Sequence, residues 1–204
     1  MLDGVMRRLL NPGLNRAGRA LAGLGVTADM VTAFGLLAGL GAAGMIALGW
    51  FGWALALIAL SRAADGLDGA VARATRVTDF GGYFDITADF LFYGAVPLGF
   101  VLADPAANGA AGAALLCAFY FNGATFLGFA ILAEKHAMRT ESRGVKSLYY
   151  TAGLLEGTET IAFFALLCLA PQWFAPLALG FAALTFLTAF ARLAHARRVF
   201  SGAD

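Results

Sequence analysis

"DGLDGAVARATRVTDFGGYFDITAD", Asp65 to Asp89, holds five aspartates and two arginines. The chain around it is 60% hydrophobic and only 13% charged, with a mean hydropathy of +0.76. A soluble domain carries about 25% charged residues. Charge this scarce, with long apolar runs, makes the chain a polytopic membrane protein. The acids therefore stand where carboxylates are costly, which marks them as functional candidates.

Working outward from this stretch, six apolar segments are long enough to span a bilayer, at about 20 residues each. They cover residues 30–48, 53–73, 81–102, 109–133, 153–170 and 174–195. Residues 1–24 read as an amphipathic juxtamembrane segment. In it Leu9, Leu10, Leu14 and Leu21 face lipid, and Arg16 and Arg19 face headgroups. Asn11-Pro12 and the arginines interrupt any signal-peptide core. The predicted fold is all-α: one membrane domain over 1–204, with a six-helix bundle over 25–200 behind the interfacial segment. The glycines (26 in all) allow close helix packing.

Lys and Arg segregate to one side. Arg7, Arg8, Arg16 and Arg19 precede the first span, and Arg73 and Arg76 lie between the second and third. Lys135, Arg139, Arg143 and Lys146 lie between the fourth and fifth, and Arg197 and Arg198 follow the sixth. The opposite turns, "GWFGW", "DPAAN" and "PQW", have no basic residue and carry all three tryptophans. The positive-inside rule then places both termini in the cytoplasm. The formal net charge of +1 provides no global field for nucleic acid. Cys117 and Cys168 sit in apolar runs without metal-ligand spacing, and His136 is a lone loop histidine.

Helix geometry brings the acids together. Asp65 and Asp68 share a face at i, i+3; Gly81, Asp85 and Asp89 share one at i, i+4. With a loop over 74–80, the helix rise puts both pairs about 6–12 Å below the cytoplasmic ends of their helices. Carboxylates at one depth repel unless cations sit between them or some are protonated. An all-oxygen ligand set without His or Cys points to Mg²⁺ or Mn²⁺, and two such ions can grip a pyrophosphate. Packing alone, paired with Arg62 and Arg73, leaves the four acids short of positive charge. Gly66 and Gly69 either open room for a phosphate or allow close helix packing. Arg73, at i+4 from Gly69, can fork onto phosphate oxygens. Arg62 either compensates Asp65 or reaches the substrate.

Asp65-x-x-Asp68-Gly69-x-x-Ala72-Arg73, followed by Gly81-x-x-x-Asp85-x-x-x-Asp89, resembles the signature of the CDP-alcohol phosphatidyltransferases. The likeness extends over essentially the whole chain. The seven-residue gap "ATRVTDF" between Arg73 and Gly81 is one residue shorter than the family commonly has. The resemblance implies transfer from a CDP-linked lipid, usually CDP-diacylglycerol. An acceptor hydroxyl attacks the phosphorus nearer the lipid, and CMP leaves. It implies that Asp65, Asp68 and Asp85 hold the metals, and that Asp89 both contacts metal and acts as general base. Gly69, Ala72, Arg73, Thr78 and Gly81 match positions that line the nucleotide and its phosphates. "VTADMVT" resembles a second family element, with Ala28-Asp29 in place of Pro-Asn. By that likeness Thr27, Asp29 and Thr32 reach the cytidine side, although Thr27 or Asp29 also reads as a helix cap. A homodimer is the family expectation.

The acceptor side is less defined. Arg139 and Lys146 lie in a basic loop that can bind an acceptor phosphate or lipid headgroups. Glu156 and Glu159 can meet an acceptor amine or hydroxyl, stabilise a helix N-terminus or pair with Arg62. Glycerol 3-phosphate is the leading acceptor, and a bacterial inner membrane the expected location. Two other readings compete. A membrane prenyltransferase also uses Asp-x-x-Asp pairs, but lacks the Gly-x-x-Ala-Arg continuation. A cation or proton transporter would place its acids nearer the bilayer midplane and show an inverted repeat.

Overall fold

The structure is a computed structural model that describes residues 3–136 and 157–201. Seven α-helices follow one another among the described residues: α1 Asp3–Gly23, α2 Ala28–Ala47, α3 Phe51–Ala74, α4 Asp79–Ala103, α5 Pro105–Lys135, α6 Gly157–Leu169 and α7 Phe174–Phe200. A 3₁₀ turn, Pro171–Trp173, leads into α7. No strand occurs among the described residues.

Among the described residues, four helical segments are long and apolar enough to cross a membrane: α2, α4, α5, and α7 with its preceding turn. The six expected spans overlap α2 to α7, but α3 and the described part of α6 are not long and apolar enough to count as crossings. The 24 residues of α3 include Arg62, Asp65, Asp68 and Arg73, whose charge lowers its hydropathy; α6 is a 13-residue apolar helix as described. The outward face is that of a lipid-exposed bundle. Leu37 of α2, Ile131 of α5 and Leu187 of α7 are 58–69% exposed, as apolar side chains that face lipid would be.

Local chemistry sets the helix ends. Gly25 and Gly49, at φ +80° and +75°, end α1 and α2 in the left-handed conformation. In both turns two backbone N–H groups reach back to close the last carbonyls: Val26 to Leu21 and Gly25 to Ala22, then Trp50 to Met45 and Gly49 to Ile46. Asp104 Oδ1 accepts from the Ala107 amide at 3.0 Å with Pro105 in the first turn, so α5 begins before the predicted 109. Thr78 Oγ1 accepts from the Gly81 amide at 3.0 Å, so α4 begins at Asp79. The 74–80 loop is thereby corrected to Thr75–Thr78, and Gly81 belongs to the first turn of a helix.

The core is aromatic against small. Phe92 meets the edge of Phe164 at 5.8 Å, Phe100 stacks on Phe174 at 4.9 Å, and Phe163 on Phe181 at 4.0 Å. Glycines let backbones approach: a Cβ at Gly99 of α4 would lie 2.6 Å from the Ala43 carbonyl oxygen of α2. Five residues earlier, Gly94 has nothing within 4 Å of such an atom. Gly99→Ala is therefore expected to lower stability by about 1–3 kcal/mol through overpacking. Gly94→Ala should leave stability unchanged or raise it by up to about 1 kcal/mol through helix propensity. Thermal melting of the two variants in detergent checks the opposite signs.

The N-terminal helix departs from expectation. α1 runs through Pro12 without ending. Leu14 and Leu21, expected to face lipid, pack inward. Leu14 Cδ1 would be 3.0 Å from a Cβ at Gly66, and Leu21 packs on the cluster of Val31, Ala64 and Val71. Gly18 of α1 sits directly on Ala70 of α3. Small residues on both helices draw α1 onto α3, and the bundle takes up its leucines. Leu10 remains 51% exposed.

Candidate active site

The last three turns of α3 and the first three of α4 converge, with the start of α2 alongside. Asp65, Asp68 and Asp85 each offer a carboxylate oxygen, and these three atoms lie within 4.8 Å of one another. Asp68 is the most enclosed, 5% exposed, and its Oδ2 accepts a 2.7 Å hydrogen bond from the Thr32 hydroxyl of α2. Like charges this close repel unless a cation joins them. Three convergent hard oxygen donors fit a divalent cation such as Mg²⁺ or Mn²⁺.

Asp89 falls outside that group. Its Oδ1 accepts from Arg62 Nη1 at 2.7 Å, and the same nitrogen lies 3.6 Å from Asp65 Oδ1. Arg62 Nη2 donates to Ser61 Oγ at 3.1 Å, and the guanidinium carbon stands 4.2 Å above the Phe92 ring. Of the two readings of Arg62, charge compensation is the one seen here, with Asp89 at 2.7 Å as well as Asp65 at 3.6 Å.

At the mouth of the cluster, Arg73 is exposed, and its Nη1 would be 3.3 Å from a Cβ at Gly69, so the side chain folds back over that glycine. Its Nη2 donates to Asn15 Oδ1 of α1 at 2.9 Å. Ala72 is partly exposed beside it. Asp29, Thr78 and Gly81 come together at the start of α4: a Cβ at Gly81 would be 2.9 Å from Thr78 Oγ1 and 3.3 Å from Asp29 Oδ1. Thr27, whose Oγ1 accepts from the Met30 amide at 3.3 Å, is the cap of α2. Thr32, expected on the cytidine side, faces Asp68. Gly66 makes room for Leu14 of α1, which is the close-packing alternative. Arg139, Lys146 and Glu156 lie outside the described residues.

Sequence reading overlooked a second polar cluster. Arg192 of α7 is 8% exposed; its Nη1 donates to the Asn122 carbonyl (3.0 Å), Asn122 Oδ1 (2.9 Å) and Thr125 Oγ1 (3.0 Å) of α5. A lone arginine within "FLTAFARLAHA" was the available signal, since a charge inside an apolar helix needs a partner. Asn15, Ser61 and Phe92 carry no such signal.

An apolar helical bundle that gathers three carboxylates at the ends of adjacent helices, with an arginine and a capped helix start beside them, is the build of a membrane-embedded transferase. The match to the CDP-alcohol phosphatidyltransferase model spans residues 25–194, and the chain belongs to that family. The inner membrane protein YnjF of Escherichia coli (strain K12) is 48% identical over 193 residues, 95% of this chain and 94% of that protein. Archaetidylinositol phosphate synthase of Pyrococcus horikoshii is 37% identical over 103 residues, half of this chain and 54% of that protein. Among solved structures, Mycobacterium tuberculosis phosphatidylinositol phosphate synthase with CDP-DAG bound superposes with a TM-score of 0.67 at 22% identity, covering 90% of this chain and 93% of that one. The same enzyme in complex with manganese and citrate gives 0.67 at 21% identity, with 90% and 88% covered. At these identities the likeness is one of fold.

Proposed function

We propose that this protein transfers a phosphatidyl group from CDP-diacylglycerol to the hydroxyl of a small polar acceptor and releases CMP. The observation that carries this reading is the convergence of Asp65, Asp68 and Asp85 within 4.8 Å, beside Arg73 and the Asp29–Thr78–Gly81 corner. Asp65, Asp68, Asp85 and, by family likeness, Asp89 would hold Mg²⁺ or Mn²⁺, in all two ions. Held by these carboxylates, such ions would supply the positive charge that offsets the phosphates and the charge developing on CMP.

The remaining work falls to the chain. Arg73, with Gly69 and Ala72 leaving room beside it, holds phosphate oxygens as a fork. Asp29, Thr78 and Gly81 frame the nucleotide side, and Thr32 orients Asp68 beside them. Asp89 takes the proton of the acceptor hydroxyl as its oxygen bonds to the lipid-side phosphorus and the bond to CMP breaks. Arg139, Lys146 and Glu156 are assigned to the acceptor, with glycerol 3-phosphate first to be tried. The relatives named above support a CDP-lipid donor and a bacterial inner membrane. In this reading residues 1–204 form one domain. The helices α2 to α7 make six crossings, α1 lies along the headgroups, and both termini and the site face the cytoplasm. A second copy completes a homodimer.

Purified protein with Mn²⁺ or Mg²⁺ and CDP-diacylglycerol is expected to release CMP with one acceptor among glycerol 3-phosphate, serine, inositol phosphate and choline. Asp89→Asn should slow that release by about 10²- to 10⁴-fold, the range of general-base catalysis. Release with no acceptor and no metal, or release indifferent to Asp89→Asn, would overturn the reading. Stabilisation by a prenyl diphosphate but not by CDP-diacylglycerol would point to a prenyltransferase instead.

A further inference from the structure

Arg62 is an arginine in the interior half of α3, with a side chain only 17% exposed. A guanidinium at such a position must recover its lost hydration from neighbours. Its contacts are directed. Nη1 takes Asp89 Oδ1 at 2.7 Å, Nη2 takes Ser61 Oγ at 3.1 Å, and one face lies 4.2 Å above Phe92. Nε is buried with no hydrogen-bond partner among the described residues. An arginine placed only to neutralise a carboxylate does better through a bidentate fork, which would satisfy a second N–H. Here Nε is left without a partner among the described residues, and Nη1 makes its hydrogen bond to one oxygen of Asp89 while Asp65 Oδ1 stays at 3.6 Å.

The support under Arg62 is rigid. Phe92 is fully buried and held against Phe164. Gly39 of α2 leaves the space that Phe92 and Ser61 fill: a Cβ there would be 2.6 Å from Phe92 Cδ2 and 3.1 Å from Ser61 Oγ. A chain of contacts thus runs from α2 through Phe92 and Ser61 to Arg62, and ends on Asp89. The Asp89 side chain keeps 30% of its surface, so it remains reachable with Oδ1 occupied.

We propose that Arg62 is a positioning residue that acts through Asp89. It binds Oδ1, fixes the rotation of the carboxylate and presents Oδ2 to the acceptor hydroxyl, and Phe92 and Ser61 hold it in a slot that Gly39 keeps open. The proposal rests on the reading of Asp89 as the proton acceptor. It replaces an acceptor-binding role for Arg62, whose two η nitrogens are engaged and one of whose faces is covered. A general base must stand within hydrogen-bond reach of its proton, and a misplacement of about 1 Å costs about 10²-fold in rate.

The test uses full-length protein in detergent, Mn²⁺, CDP-diacylglycerol and whichever acceptor of the panel supports CMP release. Arg62→Met is expected to lower kcat by about 10²-fold while KM for the acceptor changes less than about three-fold. Arg62→Lys keeps the charge but not the planar geometry, and should recover about ten-fold of that loss. Mn²⁺ affinity by calorimetry should rise in Arg62→Met, which removes a positive charge 3.6 Å from Asp65, and stay near wild type in Arg62→Lys, so a lowered rate cannot be a lost metal. In an Asp89→Asn background, Arg62→Met should slow the residual rate no further, because both changes remove one function.

If Arg62→Met fails to fold, Phe92→Leu carries the test, with a lowered kcat and an unchanged acceptor KM expected. A raised acceptor KM at unchanged kcat would overturn the proposal in favour of acceptor binding. So would an Arg62→Met effect of equal size with and without Asp89. Wild-type protein that releases no CMP with any acceptor on the panel would instead overturn the transferase reading, and this proposal with it.

Discussion

Asp68→Asn is expected to lower CMP release by about 10³-fold and to weaken Mn²⁺ binding, while the metal-free protein melts no lower than wild type. The loss follows from geometry. Asp68 is the most enclosed acid of the cluster; Thr32 orients it through Oδ2 at 2.7 Å, and it gives one carboxylate oxygen to the group shared with Asp65 and Asp85. Asparagine has the same shape but carries a dipole in place of a charge. The preorganised negative charge that would hold a cation over the phosphates falls by one, and electrostatic preorganisation of this kind is worth about 10²–10³ in rate per group.

The stability half of this expectation has the opposite sign. Without a cation, three neighbouring carboxylates repel, so a neutral isostere relieves strain that the functional site carries. Thr32→Val is the milder companion. It removes the hydroxyl that orients Asp68 and that also lies 3.1 Å from the Ala28 carbonyl; loss of such an orienting bond typically costs about 10- to 100-fold in metal affinity. Calorimetric Mn²⁺ titration, CMP release and melting without metal together decide the matter. Asp68→Asn protein with unchanged Mn²⁺ affinity and rate would show that the cluster serves packing alone.

Arg192→Met is expected to destabilise the bundle by about 1–3 kcal/mol, the cost of leaving buried hydrogen-bond acceptors unpaired. Nη1 of Arg192 serves three acceptors on α5, and Phe126 lies 5.7 Å beneath the guanidinium. Methionine fills similar volume without donors, so the Asn122 and Thr125 oxygens lose this partner where water is scarce. Arg197→Met, five residues further along at an exposed position, should change stability by less than about 0.5 kcal/mol. Unfolding in graded denaturing detergent compares the two. Unchanged stability with a raised KM for the acceptor would reassign Arg192 to substrate.

The aspartate pairs show how far pattern reading reaches. Asp65 and Asp68 at i, i+3 and Asp85 at i+4 from Gly81 had to share helix faces, because the helical period admits no other placement. The close approach of the two faces followed from a short connection between antiparallel helices. The connection itself was misjudged. Thr78 closes the first turn of α4 and Thr75 the last of α3, where its Oγ1 donates to the Val71 carbonyl at 2.9 Å. A threonine in "RVTDF" could equally have lined a loop, and only the position of the Gly81 amide makes it a cap. Gly66 illustrates the same limit. A glycine states that something comes near, and here the visitor is Leu14 of α1.

Sequence alone was enough for the all-helical membrane class, for helix positions to within a few residues, and for which acids share a face. These depend on composition and on the 3.6-residue period, both local properties of the chain. Partner choice was left to the tertiary structure. Arg62 lies on Asp89, Thr32 on Asp68, Arg73 on Asn15 and Arg192 on Asn122, across separations of 27 to 70 residues. A long polar side chain in an apolar bundle takes the nearest group that restores its hydrogen bonds. Which group is nearest depends on how glycines such as Gly18, Gly39 and Gly99 let the helices dock.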